Sequence, residues 1–350
     1  MARWARITTI SHGGAGAQAT PQATIDANRQ AQLQLTERAL LDRPDIVCLT
    51  ETITWYGLEV ASLPLAAEPV DGPTVQAFAA LARRGSTYVV VPIYTRDGNL
   101  IHNSAILLDR RGQIAAVYHK LYPTVPEIER GVTPGADPIV VQTDFGRVGF
   151  AICFDLNFRE VAEGNRAAGA ELLLFPSMYE GGLQLSIWAH DFGFFIASAT
   201  PRNGGRFIDP VGRLMAHGDV QYDPILTRRL NLDYRVIQLG PNFHRMEQVK
   251  RRYGPGVELD VSRPEAVVCL YSHLDGVSAD DIVNACELEK RVDYFPRARR
   301  VREAALRAAD QQQPQRILSG ESDEPPVTTN GSHAPDTPLA DPLTTSVHAR

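Results

Sequence analysis

The segment DFGRVGFAICFD, residues 144–155, contains a strand-like apolar run that leads directly into a cysteine. The turn-forming residues 144–146 separate this run from an earlier apolar one, residues 139–143, so the two runs predict a β-hairpin. Cys153 stands at the end of the second run. A cysteine in an apolar strand is most often an inert core thiol, but a thiol at a strand end is also well placed to act as a nucleophile.

Two other polar residues occupy the same kind of position. Glu51 ends the run DIVCLT, and Lys120 ends the run IAAVYH. Taken singly, each has a structural interpretation, Glu51 as a solvated strand end and Lys120 as a surface lysine beside a turn. Lysine is rare in this chain, with only Lys120, Lys250 and Lys290 among 35 basic residues. Side chains just beyond strand ends can converge at one sheet edge, so we expect Glu51, Lys120 and Cys153 to meet there.

These three residue types form a set that can cleave a carbon–nitrogen bond. A thiol that attacks a carbonyl carbon needs a base for its proton, and a partly desolvated carboxylate such as Glu51 can serve. The tetrahedral oxyanion needs preorganised donors, which the Lys120 ammonium and the Phe154 backbone N–H can supply. Glu51 can then return the proton to the nitrogen leaving group. The sequence thus predicts Cys153 as nucleophile, Glu51 as general base and Lys120 as cationic stabiliser.

The periodicity of apolar residues predicts an α/β protein. Helices are predicted over residues 25–41, with Thr24 as N-cap, and over residues 73–84, 159–168 and 183–192. The predicted strands comprise residues 5–11, 45–50, 88–94, 103–109, 114–119, 139–143, 147–153, 171–176, 194–199, 206–209 and 214–216. Strands that alternate with helices, some of them joined by hairpins, indicate a mixed sheet covered by helices.

Composition argues against several classes of function. The formal net charge is −6 and no basic stripe stands out, so nucleic acid is not an expected partner. No apolar run approaches the roughly 20 residues of a membrane span. The N-terminus has no signal-peptide core, so a cytoplasmic location without membrane contact is predicted. The missing export signal argues against disulfides among the four cysteines, and the lack of Cys or His residues at ligand spacing argues against a zinc site.

In their order along the chain, these segments resemble the nitrilase, or carbon–nitrogen hydrolase, superfamily. The resemblance covers residues 6–218 and rests on DIVCLTE, YHKLYPT, the Pro134–Gly135 pair, DFGRVGFAICFD, LLLFPS and FIDPVGRLMAHG. It implies an αββα sandwich that becomes four-layered on dimerisation, and hence a homodimer or higher homo-oligomer. It also implies a Glu–Lys–Cys triad, here Glu51, Lys120 and Cys153, with no metal and no cofactor.

The resemblance further implies a second glutamate that supports the lysine and the substrate. Glu127 and Glu129 are both candidates, and Glu127 is preferred because it lies seven residues after Lys120, beyond a shared Pro–Thr. Asp191 stands where relatives often carry a glutamate. The shorter side chain of Asp191 leaves open which residue supports the site from outside the triad.

Four more residues are predicted to border the substrate pocket. Trp55 and Tyr56 closely follow Glu51 and either shape the substrate site or cap the core. Ser177 and Met178 follow the strand LLLFP and are predicted to line the pocket.

The chain is predicted to consist of three segments. Residues 1–245 form the predicted carbon–nitrogen hydrolase domain. Residues 246–310 form a C-terminal extension, interpreted as an arm that contacts a dimer partner, with a strand over 265–271 and a basic helix over 297–309. Residues 311–350 contain many Pro, Ser and Thr and few large apolar residues, which predicts a disordered tail.

The expected reaction is hydrolysis of a small linear amide or N-carbamoyl compound through a covalent acyl-cysteine. Nitrilases of the superfamily usually show Cys–Trp–Glu at the nucleophile, whereas this chain has Cys153–Phe154–Asp155. Two alternatives stay open, namely a nitrilase that acts on a nitrile and a catalytically silent scaffold of the same fold.

Overall fold

The computed structural model describes residues 3–312, and within them fifteen strands form three sheets. The strands are β1 (Trp4–Ile10), β2 (Ile46–Cys48), β3 (Tyr88–Asp97), β4 (Leu100–Leu108), β5 (Ile114–His119), β6 (Val140–Gln142), β7 (Arg147–Phe150), β8 (Leu172–Pro176), β9 (Phe195–Ala199), β10 (Arg206–Ile208), β11 (Leu214–His217), β12 (Ile225–Asn231), β13 (Tyr234–Gln238), β14 (Val257–Ser262) and β15 (Val267–Ser272).

The helices are α1 (Pro21–Ala39), α2 (Leu63–Ala66), α3 (Pro73–Gly85), α4 (Val125–Glu129), α5 (Arg159–Ala167), α6 (Gly182–Phe192), α7 (Leu239–Asn242), α8 (Met246–Tyr253), α9 (Ala279–Ala285) and α10 (Arg291–Gln312). A short 3-10 helix, Cys153–Asn157, matters most for the site because it begins at the cysteine singled out above.

Two mixed six-stranded sheets carry the fold. The first has the order β12-β1-β2-β3-β4-β5, and the second has the order β11-β10-β9-β8-β7-β6. At the centre of each sheet three strands run parallel, β1 with β2 and β3 in the first sheet and β7 with β8 and β9 in the second. The remaining pairs are antiparallel, including the predicted hairpin of β6 and β7. A smaller third sheet has the order β13-β15-β14.

The two large sheets pack face to face, as the alternation of side chains in β3 illustrates. Val90 points into the core between the sheets, which it shares with Phe150 of the second sheet. Its neighbours Val89 and Val91 point the other way and pack with Phe78 of α3. Each such buried side chain contributes about 1.5–3 kcal/mol to folding. Because α5 and α6 likewise cover the outer face of the second sheet, the predicted αββα sandwich is confirmed. Its four-layer form on dimerisation stays a prediction.

The first helix begins earlier than predicted, and the N-cap assignment to Thr24 is wrong. The observed N-cap is Thr20, whose hydroxyl accepts a hydrogen bond from the Ala23 N–H at 3.2 Å. Pro21 follows at the first helical position, where its fixed φ suits the helix and its missing N–H costs nothing. Thr24 is inside the helix and donates its hydroxyl to the Thr20 carbonyl.

Strands β12, β13 and β14 were not predicted. β12 pairs with β1 at the edge of the first sheet and carries two successive arginines, Arg228 and Arg229. Edge strands tolerate charged residues because one side faces water, so their sequences lack a clear apolar alternation. The strand predicted over 265–271 corresponds to β15.

The compact unit that ends at Ala298 contains every element except the C-terminal part of α10. β13, before the predicted domain boundary at residue 245, pairs with β15 after it, and that boundary stays a prediction. Residues 311 and 312 end α10, while the predicted tail from residue 313 onwards lies outside the described residues. Within residues 3–312, no helix is long and apolar enough to cross a membrane.

Candidate functional site

The three strand-end residues meet between the two large sheets. Glu51 follows β2 and Lys120 directly follows β5, both in the first sheet, whereas Cys153 follows β7 of the second. The Lys120 ammonium lies 2.8 Å from Oε1 of Glu51. Both side chains are almost completely buried, and Cys153 is only 8% exposed. The structure therefore brings Glu51, Lys120 and Cys153 together, as their positions at strand ends led us to expect.

Lys120 is held between two carboxylates. Its Nζ donates to Oε1 of Glu51 and to Oε2 of Glu127, each at 2.8 Å. Burial alone lowers the pKa of a lysine, but the negative charges of the Glu51 and Glu127 carboxylates outweigh it and raise the pKa of Lys120 above its usual value. Lys120 is thus a permanent ammonium ion, enclosed and fixed in direction.

Of the two candidates for the second glutamate, Glu127 is the one at this site. Thr124 donates both its backbone N–H and its hydroxyl to Oε2 of Glu127, and the Glu127 N–H donates back to the Thr124 hydroxyl, which completes a capping box at the start of α4. Burial opposes ionisation, yet Lys120 and these hydrogen bonds lower the pKa of Glu127. Glu129 is exposed and makes no side-chain hydrogen bond or ion pair among the described residues.

Asn103 of β4 is a site residue that sequence reasoning missed. Its Nδ2 donates to Oε1 of Glu51 at 2.8 Å and to Oε1 of Glu127 at 2.9 Å. Its backbone carbonyl accepts the Lys120 N–H at 2.8 Å. Because both carboxylates only accept, the amide orientation is forced, and the buried Oδ1 has no hydrogen-bond partner among the described residues. The available signal was a polar asparagine at the start of the apolar strand predicted over residues 103–109.

Cys153 begins the 3-10 helix in a left-handed backbone conformation, with φ of 48°. This conformation is uncommon for residues other than glycine and produces a sharp turn after β7. Burial, and then the charge of Glu51, raise the pKa of the Cys153 thiol to about 12. The thiol is therefore protonated at neutral pH and needs a base. The Phe154 N–H lies in the first turn of the 3-10 helix, where that helix has no carbonyl to accept it.

Asp155 connects the turn that carries Cys153 to the segment that contains Lys120. Its carboxylate accepts hydrogen bonds from the Ile152 N–H at 2.8 Å, the Tyr118 hydroxyl at 2.7 Å and the Tyr122 N–H at 2.8 Å. Tyr118 and Tyr122 lie on either side of Lys120. Burial raises the pKa of Asp155 to about 6 even though all three donors favour the ionised form. The sequence showed Asp155 only as a departure from Cys–Trp–Glu.

We expect Asp155→Asn to lower both stability and kcat. The amide keeps one acceptor oxygen but turns an NH₂ group toward donors, so unfolding free energy falls by about 1–3 kcal/mol. The turn that carries Cys153 then shifts, and kcat falls at least about tenfold. Urea unfolding and steady-state kinetics measure the two effects. Asp71→Asn, at an exposed carboxylate, is the matched control. Unchanged kcat in Asp155→Asn would show that this carboxylate does not position the cysteine.

Trp55 and Tyr56, which follow Glu51 in the chain, pack behind the two glutamates of the site. The Tyr56 hydroxyl donates to the Glu51 carbonyl at 3.0 Å. The Trp55 ring packs edge-on against Tyr94, with centroids 5.4 Å apart, and the Tyr94 hydroxyl lies 3.4 Å from Oε1 of Glu127. Both residues thus support the two glutamates, and their contact with a substrate stays a prediction.

Ser177 and Met178 follow β8 and approach Glu51 from the second sheet. The Met178 N–H donates to Oε2 of Glu51 at 3.0 Å, while its side chain is 37% exposed. The Ser177 hydroxyl is buried and bonded to both the N–H and the carbonyl of Tyr179. Ser177 therefore shapes the turn that directs Met178 toward Glu51. A substrate contact by either residue stays a prediction.

His119 takes part in a separate interaction and not in a dyad with Cys153. Its ring stacks on His102 with centroids 4.1 Å apart, and its Nδ1 lies 2.8 Å from the Ser104 hydroxyl. Burial, and then the neighbouring His102, lower the pKa of His119 to about 4. Among the described residues no group of three or more His, Cys, Asp or Glu side chains is arranged to hold a metal ion.

Comparison with known proteins links this geometry to one family. The family model of the carbon–nitrogen hydrolases matches residues 15–235. The chain is 30% identical over 162 residues to the nitrilase and fragile histidine triad fusion protein NitFhit of Drosophila melanogaster, a match that covers 44% of this chain and 35% of that protein. It is 27% identical over 182 residues to the deaminated glutathione amidase of Rattus norvegicus, covering 45% of this chain and 54% of that protein. The chain thus spans about a third to just over half of these relatives.

A solved structure extends the comparison to the fold. A variant of the amidase from Nesterenkonia sp. AN1, showing covalent addition of the acetamide moiety of fluoroacetamide at its active site cysteine, matches with a TM-score of 0.56. The match has 22% sequence identity and covers 65% of this chain and 90% of that one. At this identity the likeness establishes a shared fold.

Proposed function

The chain belongs to the carbon–nitrogen hydrolase family, and on that premise we propose that it hydrolyses a small linear amide or N-carbamoyl compound through an acyl-cysteine. One observation carries the proposal: a buried ammonium, Lys120, is fixed between Glu51 and Glu127 close to the thiol of Cys153. A buried ammonium held in a fixed position can stabilise the negative charge that develops on the substrate oxygen. The amidases among the relatives and solved structures support the same class of reaction.

Acylation begins with the protonated thiol. As Sγ of Cys153 bonds to the substrate carbonyl carbon, its proton passes to Glu51 and the carbonyl π electrons move onto oxygen. The Lys120 ammonium and the Phe154 N–H stabilise that oxyanion. The intermediate then collapses, the carbon–nitrogen bond breaks, and Glu51 returns the proton to the leaving nitrogen. Ammonia or an amine departs and a thioester, or a thiocarbamate, stays on Cys153.

Deacylation repeats the sequence with water. Glu51 removes a proton from water as its oxygen attacks the same carbon, and the same two donors stabilise the second oxyanion. Collapse breaks the carbon–sulfur bond, and the proton on Glu51 passes to the departing Sγ. Glu127 and Asn103 hold Glu51 and Lys120 in place throughout, because Glu127 accepts from Lys120 and Asn103 donates to both Glu51 and Glu127.

Amide or carbamoyl substrates suit this arrangement better than nitriles do. A nitrile forms a thioimidate, whose nitrogen must be protonated before ammonia can leave. At the position where nitrilases of the superfamily carry glutamate, Asp155 is buried and engaged by three donors. It is therefore not free to act as an additional acid.

The test is turnover of an amide and a nitrile that share one carbon skeleton, with ammonia release measured for each. We expect the amide to be hydrolysed and the nitrile to show little activity. Added hydroxylamine should yield the hydroxamate, because a thioester is open to any small nucleophile. A nitrile turned over tenfold faster than its amide would favour the nitrilase alternative.

A catalytically silent scaffold predicts a different result. It would release no ammonia from any amide, N-carbamoyl compound or nitrile, and its cysteines would react with iodoacetamide only slowly and without preference. A homodimer or higher oligomer and a cytoplasmic location stay predictions, which light scattering and localisation of a tagged protein would check.

A further inference from the structure

A cleft of about 910 Å³ lies at the opposite end of the second sheet from Cys153. Arg147 is the first residue of β7, and Glu171 and Phe194 directly precede β8 and β9. These three strands run parallel, so their starts share one edge and their ends, toward Cys153, share the other. At about 3.3 Å per residue, the two sites are roughly 20 Å apart along β7.

The charges in this cleft are not balanced. Arg3 is paired with Glu171 at 2.6 Å and Arg235 is paired with Asp280. Arg147, Arg166 and Arg291 also line the cleft, yet none of them has a carboxylate within ion-pair distance among residues 3–312. Of the two other acidic lining residues, Asp191 is paired with Arg159, while Asp233 is buried, accepts the Ala279 N–H and lies near Arg3. Three guanidinium groups therefore face one cleft without a counter-ion from the described part of the chain.

Arg291 is the most constrained of the three. Its guanidinium is half-buried and donates to the His190 carbonyl and, at 2.7 Å, to Nε2 of the same histidine. Nδ1 of His190 lies 3.3 Å from the Val211 carbonyl, so Nδ1 carries the proton and Nε2 accepts from Arg291. Neither acceptor is a carboxylate, and burial lowers the pKa of Arg291 although the charge of nearby Asp191 opposes that effect. A half-buried cation without an ion-pair partner gains most from an anion supplied from outside.

We propose that this cleft binds a small polyanion, a molecule with phosphate or several carboxylate groups, through Arg147, Arg166 and Arg291. Planar guanidinium groups form bidentate hydrogen bonds with such oxygens. The volume falls within the range of small-molecule sites, roughly 300–1,000 Å³. The proposal is independent of the reaction at Cys153, because no residue of the cleft touches that site.

The experiment uses the full chain, with inorganic triphosphate and citrate as separate probes and sodium chloride added to keep ionic strength constant. We expect saturable binding by calorimetry and a rise in melting temperature with probe concentration. Arg166→Ala and Arg291→Ala should each weaken binding by about tenfold or more, since each removes charge-assisted hydrogen bonds. Whether triphosphate or citrate binds more tightly identifies the anion class.

Arg84→Ala, at an exposed arginine paired with Glu37, is the matched control and should bind the probes as the wild type does. Amide hydrolysis by Arg166→Ala is expected to be unchanged, so failure of this proposal and failure of the proposed reaction are separable. Two results would overturn the cleft assignment. In one, the wild type fails to show saturable binding, or its binding is lost when the ionic strength is held constant. The other is an affinity that Arg166→Ala and Arg291→Ala both leave at the level of Arg84→Ala.

Discussion

Cys153→Ala is expected to lower kcat for amide hydrolysis by at least about 10⁴-fold while the protein stays folded. Loss of the nucleophile removes the covalent route, and nucleophile deletions in other covalent hydrolases are of this size or larger. Alanine retains the Cβ, adopts the same backbone conformation and leaves only a small gap at a residue that is already 8% exposed. Single-turnover kinetics with a chromogenic amide, together with melting temperature, measure both parts of the prediction.

Cys48→Ala is the control for this substitution. Cys48 is fully buried in the core between the sheets, so its truncation should cost about 1 kcal/mol of unfolding free energy and leave kcat unchanged. Iodoacetamide gives a second measurement, because Cys48, Cys269 and Cys286 are more deeply buried than Cys153. We expect one equivalent of label, on Cys153, and slower labelling in Glu51→Gln, since the thiol pKa of about 12 makes the base necessary. Substantial amide turnover by Cys153→Ala would refute the nucleophile assignment.

Lys120→Arg is expected to lower kcat by about 10²–10³-fold although the positive charge is kept, as for loss of an oxyanion donor. The ammonium fits between Glu51 and Glu127 at 2.8 Å from each, in a site with almost no solvent exposure. A guanidinium is wider and planar, so it cannot hold both carboxylates and also direct an N–H at the substrate oxygen. The measurement is kcat with the same amide, after circular dichroism has shown that the variant is folded.

Lys250→Arg is the matched control, because Lys250 on α8 donates to the backbone carbonyls of Gly254 and Val257. Its kcat should equal that of the wild type. Where Lys120→Arg proves too unstable to assay, Lys120→Met keeps a similar length without the charge and is expected to be equally inactive. Near-normal turnover by a folded Lys120 variant of either kind would mean that the ammonium does not stabilise the reaction.

Much of the fold was predictable because it depends on local periodicity. The apolar run over residues 88–94 predicted the strand β3, and its neighbouring side chains Val89 and Val90 do pack in opposite directions. Edge strands were harder, because β12 exposes arginines to solvent and does not show that pattern. The wrong N-cap at Thr24 arose from choosing the second of two threonines, where Pro21 in fact starts the helix.

The αββα class was implied by the resemblance to the superfamily. The sequence by itself determined a mixed sheet covered by helices, most of the strands and helices up to residue 216, and the placing of Glu51, Lys120 and Cys153 at strand ends. These properties follow from side-chain period and from chain direction, which neighbouring residues decide. Only the tertiary structure decided which groups surround them. Glu51 meets the N–H of Met178, 127 residues away in sequence, and Asn103 binds Glu51 across 52 residues. Such contacts depend on how strands and sheets pack against each other. Local sequence patterns do not predict them, because the residues that meet are far apart along the chain.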